Sequence, residues 1–263
     1  MELNALGARV HLIRRGESGR GLLLLHGWGC SAEMMQGVQD AFAGNRKTVA
    51  VDFPGHGNMG KAAPPPEPWG VPEYCEMTRE VIAATGIAPC DIIAHSFGCR
   101  VALLLAAKHP ELVGKMILTG AAGIRKPANA KQQARTKAYR TLRSFVNGVE
   151  KTHLFGDLPG KWRESLVQRY GSADYAALSP EMRMTFNKVI TQDLTPILKE
   201  VHASTLLYWG ANDTETPLWM GKKMEEEIED SGLIVEEGAG HFAYLEKLPV
   251  FLAIAKNFLT EES

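Results

Sequence analysis

A series of short apolar runs, each ended by a polar residue or a glycine, constrains the fold of this chain most. The runs lie at residues 22–25, 48–51, 91–94, 115–119, 205–209 and 232–235. Each would be apolar on both faces of an extended chain, which is typical of strands buried inside a parallel sheet. The runs therefore predict a sheet that is covered on both sides.

Helical patterns separate these runs. They lie at residues 31–42, 71–85, 98–109, 217–229 and 249–259. Alternation of strands and helices is typical of an α/β fold with a mostly parallel sheet. Residues 10–15 precede the alternation and predict an antiparallel strand at the edge of the sheet.

One stretch, residues 124–195, interrupts the alternation because it contains no convincing strand and several helical patterns, among them 162–170 and 181–190. We interpret it as a helical cap inserted into a core domain of residues 1–123 and 196–263. The cap carries 13 Lys and Arg against 6 Asp and Glu, a charge of +7. Its segment 125–143 has seven basic residues and no acid, which favours either a solvated helix face or the binding of an anionic substrate.

Composition excludes several classes of function. The chain has 263 residues, 45% of them hydrophobic, and a net charge of −1, so no overall basic character favours nucleic acid binding. The cysteines at positions 30, 75, 90 and 99 form no Cys-x-x-Cys pair, which predicts free thiols and no metal site. The apolar runs fall far short of the roughly 20 residues of a membrane helix, and no signal peptide is recognisable. We expect a cytoplasmic monomer or homodimer that binds a small molecule but neither nucleic acid nor a membrane.

The strongest local motif is Ala94-His95-Ser96-Phe97-Gly98, between a predicted strand and a predicted helix. This is the setting of a nucleophile elbow, a tight turn that raises a serine hydroxyl above the sheet. Ala94 replaces the first glycine of the usual Gly-x-Ser-x-Gly pattern. The alternative is an ordinary serine at the N-cap of a helix.

A serine hydroxyl needs a base that takes its proton. Two later residues of suitable chemistry also follow predicted strands: Asp213, in a polar turn, and His241, in the segment Gly-Ala-Gly-His. The chain order Ser96, Asp213, His241 is the order found in enzymes with this elbow. The three residues are therefore predicted to form a catalytic triad.

Two backbone N–H groups are predicted to form an oxyanion hole. One is that of Phe97, directly after the serine, and the other that of Trp28, in the loop His-Gly-Trp-Gly at 26–29. His26 and His56 are expected to shape their loops rather than to act in catalysis.

The motifs together resemble the α/β-hydrolase superfamily, in its capped branch with esterases, lipases and meta-cleavage-product hydrolases. They are HGWG at 26–29, DFPGHG at 52–57, HSFG at 95–98, WGAND at 209–213 and GAGH at 238–241. The resemblance implies a mostly parallel eight-stranded sheet flanked by helices, with a helical cap inserted after the sixth strand. Relatives that use an aspartate nucleophile are excluded, because Ser96 stands at that position.

The leading hypothesis is a serine hydrolase that cleaves a small ester or thioester through an acyl-enzyme and needs no metal or organic cofactor. An alternative is a carbon–carbon bond hydrolase of a carboxylate-bearing diketone, whose carboxylate the basic cap would bind. Another is a ligand-binding or sensor protein with a slow triad. Candidate substrate-binding residues are Trp28, Phe97, Met34, Phe145 and Leu154.

Overall fold

Eight strands form one sheet. Their bounds are β1 (Glu2–Ala5), β2 (Ala8–Arg15), β3 (Gly21–Leu25), β4 (Lys47–Asp52), β5 (Cys90–His95), β6 (Val113–Thr119), β7 (Thr205–Gly210) and β8 (Ser231–Glu236). The order across the sheet is β1-β2-β4-β3-β5-β6-β7-β8. β2 is antiparallel to both β1 and β4, and all the other neighbours are parallel. The predicted mostly parallel, eight-stranded sheet is thus confirmed.

The structure is a computed structural model that describes residues 1–57, 63–126 and 178–260. Between 127 and 177 it also describes Lys137, Thr141, Leu142, Ser144, Lys161, Trp162, Ser165 and Tyr175. Most of the predicted helix 162–170 lies outside the described residues, as do the candidate residues Phe145 and Leu154.

Helices alternate with the strands as the sequence predicted. They are α1 (Gln36–Phe42), α2 (Val71–Thr85), α3 (Phe97–Lys108), α4 (Pro180–Thr191), α5 (Leu218–Glu227), α6 (Ala243–Glu246) and α7 (Leu248–Phe258). The predicted helix at 31–42 is divided, because a 3-10 turn at Ala32–Met35 precedes α1.

The expectation that residues 10–15 form an antiparallel strand is confirmed, but the expectation that this strand lies at the edge of the sheet is wrong. These residues belong to β2, and β1 pairs with the outer side of β2 in the register Glu2 with His11. β1 escaped detection because only Ala5 among its four residues is buried, so it lacks the apolar run of a central strand.

The core consists of two apolar clusters, one on each face of the sheet. Successive leucines of β3 point to opposite faces: Leu23 and Leu25 belong to one cluster, with residues of α2, α3 and α5. Leu22 and Leu24 belong to the other, with residues of α1 and α7. All four side chains are fully buried, which is worth about 2 kcal/mol for each leucine. The carboxyl ends of the strands are therefore held on a tightly packed base.

The chain divides into two compact units, residues 1–125 with 188–263, and residues 126–187. The first unit contains the whole sheet. The predicted cap of residues 124–195 stays a prediction, because most of its chain lies outside the described residues. No helix among the described residues has the length and apolar character needed to cross a membrane.

Candidate active site

Ser96 lies on the turn between β5 and α3. Its backbone has φ 49° and ψ −106°, a region that L-residues rarely adopt and that is typical of strained functional sites. The turn is held by its own backbone: the Ser96 N–H donates to the Thr119 carbonyl at 3.0 Å, and the Ala122 N–H donates to the Ser96 carbonyl at 3.2 Å. β6 and the loop that follows it thus maintain the strained conformation.

The turn closes only because small residues flank the serine. A β-carbon added at Gly98 would lie 2.5 Å from the Leu25 carbonyl oxygen and 2.8 Å from that of His26. Ala94, which replaces the first glycine of the usual pattern, is fully buried in the core. Glycine is therefore required two residues after the serine, whereas the methyl group of an alanine is accommodated two residues before it.

The structure brings Ser96, His241 and Asp213 together in one relay. Nδ1–H of His241 donates to Oδ2 of Asp213 at 2.8 Å. Nε2 of the same ring lies 3.0 Å from the Ser96 hydroxyl oxygen. With its proton on Nδ1, the imidazole presents a lone pair to the serine hydroxyl, which is the arrangement a general base requires.

Four donors surround the Asp213 carboxylate. Oδ1 accepts the backbone N–H groups of Glu215 and Thr216, each at 2.9 Å, and Oδ2 has the Thr216 hydroxyl at 2.8 Å besides His241. Burial alone would raise the pKa of Asp213, but the hydrogen bonds from His241 and Thr216 outweigh it and leave the pKa below its ordinary value. The carboxylate is therefore charged at neutral pH and oriented by its own turn.

His95 is a neighbour of the relay that the sequence analysis did not consider. Its ring centre lies 4.8 Å from that of His241, and its Nδ1–H donates to the Thr119 carbonyl at 3.1 Å. Burial, and then the adjacent His241, lowers the pKa of His95 to about 3. The ring is therefore neutral at pH 7 and adds no positive charge that would oppose protonation of His241.

The two predicted oxyanion residues lie side by side. Phe97 is the first residue of α3, so its N–H belongs to the groups that a helix leaves without an intrahelical acceptor. The Trp28 and Phe97 ring centres are 5.3 Å apart. The Phe97 side chain is only 3% exposed and packs against Phe53 and Tyr74, whereas Trp28 is partly exposed.

Hydrogen bonds connect the loop that carries Trp28 to the turn after β4. His26 donates from Nδ1 to the Gly27 carbonyl at 2.7 Å and accepts the Phe53 N–H at Nε2 at 3.1 Å. The Gly29 N–H donates to Nδ1 of His56 at 3.1 Å. Both histidines are buried, and both belong to the framework of this loop rather than to the relay.

Of the other candidate substrate-binding residues, the structure describes Met34. Met34 lies in the 3-10 turn before α1 and is partly exposed. Within the described part of the chain, no group of three His, Cys, Asp or Glu side chains is arranged to hold a metal ion.

The class of α/β hydrolases is defined by a serine on a strand-to-helix turn above a mostly parallel sheet. In this class, the serine is hydrogen-bonded to a histidine, and the histidine to an aspartate, at the carboxyl ends of the strands. The model of a family described as alpha/beta hydrolase fold matches residues 22–248. The chain belongs to this family, which confirms the resemblance drawn from the motifs.

Individual relatives are similar over nearly the whole chain. The pimeloyl-[acyl-carrier protein] methyl ester esterase of Neisseria meningitidis serogroup C is 27% identical over 249 residues, covering 90% of this chain and 92% of its own. The 2-hydroxymuconate semialdehyde hydrolase of Pseudomonas putida is 26% identical, covering 99% and 94%. The solved esterase of Exiguobacterium antarcticum matches with a TM-score of 0.74 at 20% identity, covering 98% of both chains, and supports the fold.

Proposed function

We propose that this chain is a serine hydrolase that cleaves a small ester or thioester through an acyl-enzyme. The observation that carries the proposal is the relay from Asp213 through His241 to Ser96, with hydrogen-bonding distances of 2.8 and 3.0 Å. Each residue has the role its position allows: Ser96 is the nucleophile, His241 the general base and then acid, and Asp213 holds the imidazole in the required tautomer.

The reaction proceeds in two halves. His241 takes the proton of Ser96 as the hydroxyl oxygen attacks the carbonyl carbon, and then gives that proton to the departing alcohol or thiol. Water, deprotonated by His241, attacks the acyl-enzyme, and Ser96 regains its proton as the acid leaves. The N–H groups of Phe97 and Trp28 stabilise the negative oxygen in both halves. The position of Phe97 at the N-terminus of α3 supports this role, because a helix N-terminus favours negative charge.

One of the relatives supports an ester substrate. It is named for the methyl ester of a pimeloyl-[acyl-carrier protein]. The basic stretch at 125–143 of this chain supports an anionic group on the substrate or its carrier. Trp28 supplies the more exposed aromatic surface beside the serine, while Phe97 contributes through its N–H. Met34, Phe145 and Leu154 remain proposed pocket residues.

A second candidate is hydrolysis of a carbon–carbon bond in a carboxylate-bearing diketone. The relative named 2-hydroxymuconate semialdehyde hydrolase, which aligns with 99% of this chain, supports it. The two candidates share the relay and differ in substrate, so turnover of a nitrophenyl ester against a yellow ring-fission product distinguishes them.

The test is a rapid-mixing assay with short and medium nitrophenyl esters. The wild-type protein is expected to release about one equivalent of nitrophenol in a burst, because an activated nitrophenyl ester acylates the serine faster than water removes the acyl group. Ser96→Ala should abolish the burst and lower kcat by about five powers of ten. Ser204→Ala is the matched control and should leave both unchanged, since Ser204 lies just before β7 at the amino end of the strand and its hydroxyl donates to Asp230.

Near-native ester turnover in Ser96→Ala would contradict the proposal. Faster turnover of the ring-fission product than of any ester would favour the second candidate.

A further inference from the structure

The peptide groups on both sides of Trp28 are fixed by hydrogen bonds to other residues. The Gly27 carbonyl accepts from His26 Nδ1 at 2.7 Å and from the Cys30 N–H at 3.2 Å. In a trans peptide the carbonyl and the next N–H point in opposite directions, so these contacts set the direction of the Trp28 N–H. The following peptide is held through the Gly29 N–H, whose acceptor is Nδ1 of His56.

Gly29 depends on this second contact because of its backbone. It has φ +72°, a left-handed conformation that glycine adopts without strain. Glycine also adopts other backbone conformations readily, so its own preference does not hold it in this one. The chain reverses there, with the Gly57 N–H donating to the Cys30 carbonyl at 3.1 Å just beyond. The hydrogen bond from the Cys30 N–H to the Gly27 carbonyl closes this turn, and the contact between Gly29 and His56 ties the turn to the loop after β4.

The surroundings of His56 suit a permanent acceptor. The side chain is 5% exposed and lies against the rings of Trp28, at 4.3 Å, and of Phe97, at 5.8 Å. Burial, and then the neighbouring His26, keeps the pKa of His56 well below its ordinary value. The neighbouring carboxylate, Asp52, is itself engaged by His11 at 2.7 Å. His56 is therefore neutral, with its Nδ1 lone pair available to the loop.

We propose that His56 is a positioning residue for the reaction: by accepting the Gly29 N–H, it holds the peptide after Trp28 and anchors the turn, so that the Trp28 N–H, whose direction within the turn the Gly27 carbonyl sets, stays aimed at the substrate oxygen. The inference rests on the proposed function, because it assigns Trp28 to the oxyanion hole. His56 itself touches neither the nucleophile nor the base.

Two substitutions separate this role from simple packing. His56→Phe keeps an aromatic ring against Trp28 but removes the acceptor, whereas His56→Asn loses the ring and retains a carbonyl oxygen in place of Nδ1. Removal of one oxyanion donor costs about 10²- to 10³-fold in kcat, and a displaced donor costs less. We expect His56→Phe to lower kcat roughly 30-fold with KM within about twofold, and His56→Asn to recover most of the loss.

The affinity for a boronic acid inhibitor gives a second measurement, because the tetrahedral adduct that the inhibitor forms with the serine occupies the oxyanion hole. This affinity should fall in His56→Phe by the same factor as kcat/KM. His109→Phe is the matched control. This histidine follows the C-terminus of α3, away from Ser96, and bonds to Glu76 of α2. Its replacement should change neither the inhibitor affinity nor kcat/KM.

Amide hydrogen exchange at Gly29 tests the contact without any turnover. Protection in the wild type that is lost in His56→Phe and retained in His56→Asn is the expected result. Equal protection in all three would overturn the proposal even if the chain hydrolysed no ester. The proposal is also overturned if His56→Phe has full activity, or if both variants raise KM and lower kcat alike with no recovery in His56→Asn.

Discussion

Replacement of Asp213 by asparagine tests the relay through a single proton. The Asp213 turn fixes the orientation of the new amide, because the backbone N–H groups of Glu215 and Thr216 both point at Oδ1 and require an oxygen there. Turning the amide the other way would sacrifice two hydrogen bonds, at about 1 kcal/mol each. The amide NH₂ of the variant therefore faces His241.

An NH₂ group in that position reverses the direction of the hydrogen bond to His241. Nδ1 of the imidazole must then accept, so its proton moves to Nε2, the atom 3.0 Å from the Ser96 hydroxyl. A ring with its proton on Nε2 cannot accept the proton of the serine. The expected loss in kcat is about 10⁴-fold, or about 5 kcal/mol in the barrier. The fold is retained, because the backbone N–H groups of Glu215 and Thr216 still donate to the amide oxygen.

The assay is steady-state hydrolysis of a nitrophenyl ester together with thermal melting. Asp193→Asn is the matched control, since Oδ1 of Asp193 accepts the Thr195 N–H at 3.1 Å in a similar turn outside the relay. The control should keep wild-type kcat. A loss of less than about tenfold in Asp213→Asn would refute the reasoning that the carboxylate selects the imidazole tautomer.

Three further predictions concern stability. Gly98→Ala should destabilise the fold by about 2 kcal/mol or more in urea unfolding, because the new β-carbon would lie 2.5 Å from the Leu25 carbonyl oxygen; an unchanged urea midpoint would contradict this. Burial lowers the pKa of His26 to about 4 and that of His95 to about 3, so the unfolded chain takes up protons first. Stability should be complete above pH 6.5 and fall as the pH decreases toward 4, by about 2 kcal/mol for each histidine at pH 5; equal urea midpoints at pH 7.5 and 5 would be inconsistent with neutral buried rings. Asp91→Asn should cost about 3 kcal/mol, because the buried carboxylate pairs with two arginines at the amino end of β5, and it should leave kcat unchanged; a lower kcat with normal stability would refute the separation of these roles.

The three triad residues could be predicted from the sequence because a local pattern marks the position of each. Ser96 follows a buried run directly, while Asp213 and His241 lie within a few residues of the ends of β7 and β8. Parallel strands bring their carboxyl ends to one edge of the sheet. The proximity of the three residues could therefore be anticipated from topology, whereas the distances between their side chains could not.

Contacts between distant loops left no such pattern. His56 and Gly29 are 27 residues apart, and nothing in either motif specifies that one accepts from the other. Thr216 is different, because a hydroxyl three residues after an aspartate is typical of turns in which the carboxylate accepts backbone N–H groups. Turn chemistry around Asp213 could have identified it before the structure.

The most direct test of the account is labelling of the wild-type protein and of His241→Ala with a fluorophosphonate, followed by peptide mapping. The account predicts a single label on Ser96 in the wild type. It also predicts a labelling rate at least about a thousandfold lower in the variant, because His241 no longer takes the serine proton. A folded wild-type protein that is not labelled, or that is labelled at another residue, would contradict the claim that Ser96 is the activated nucleophile.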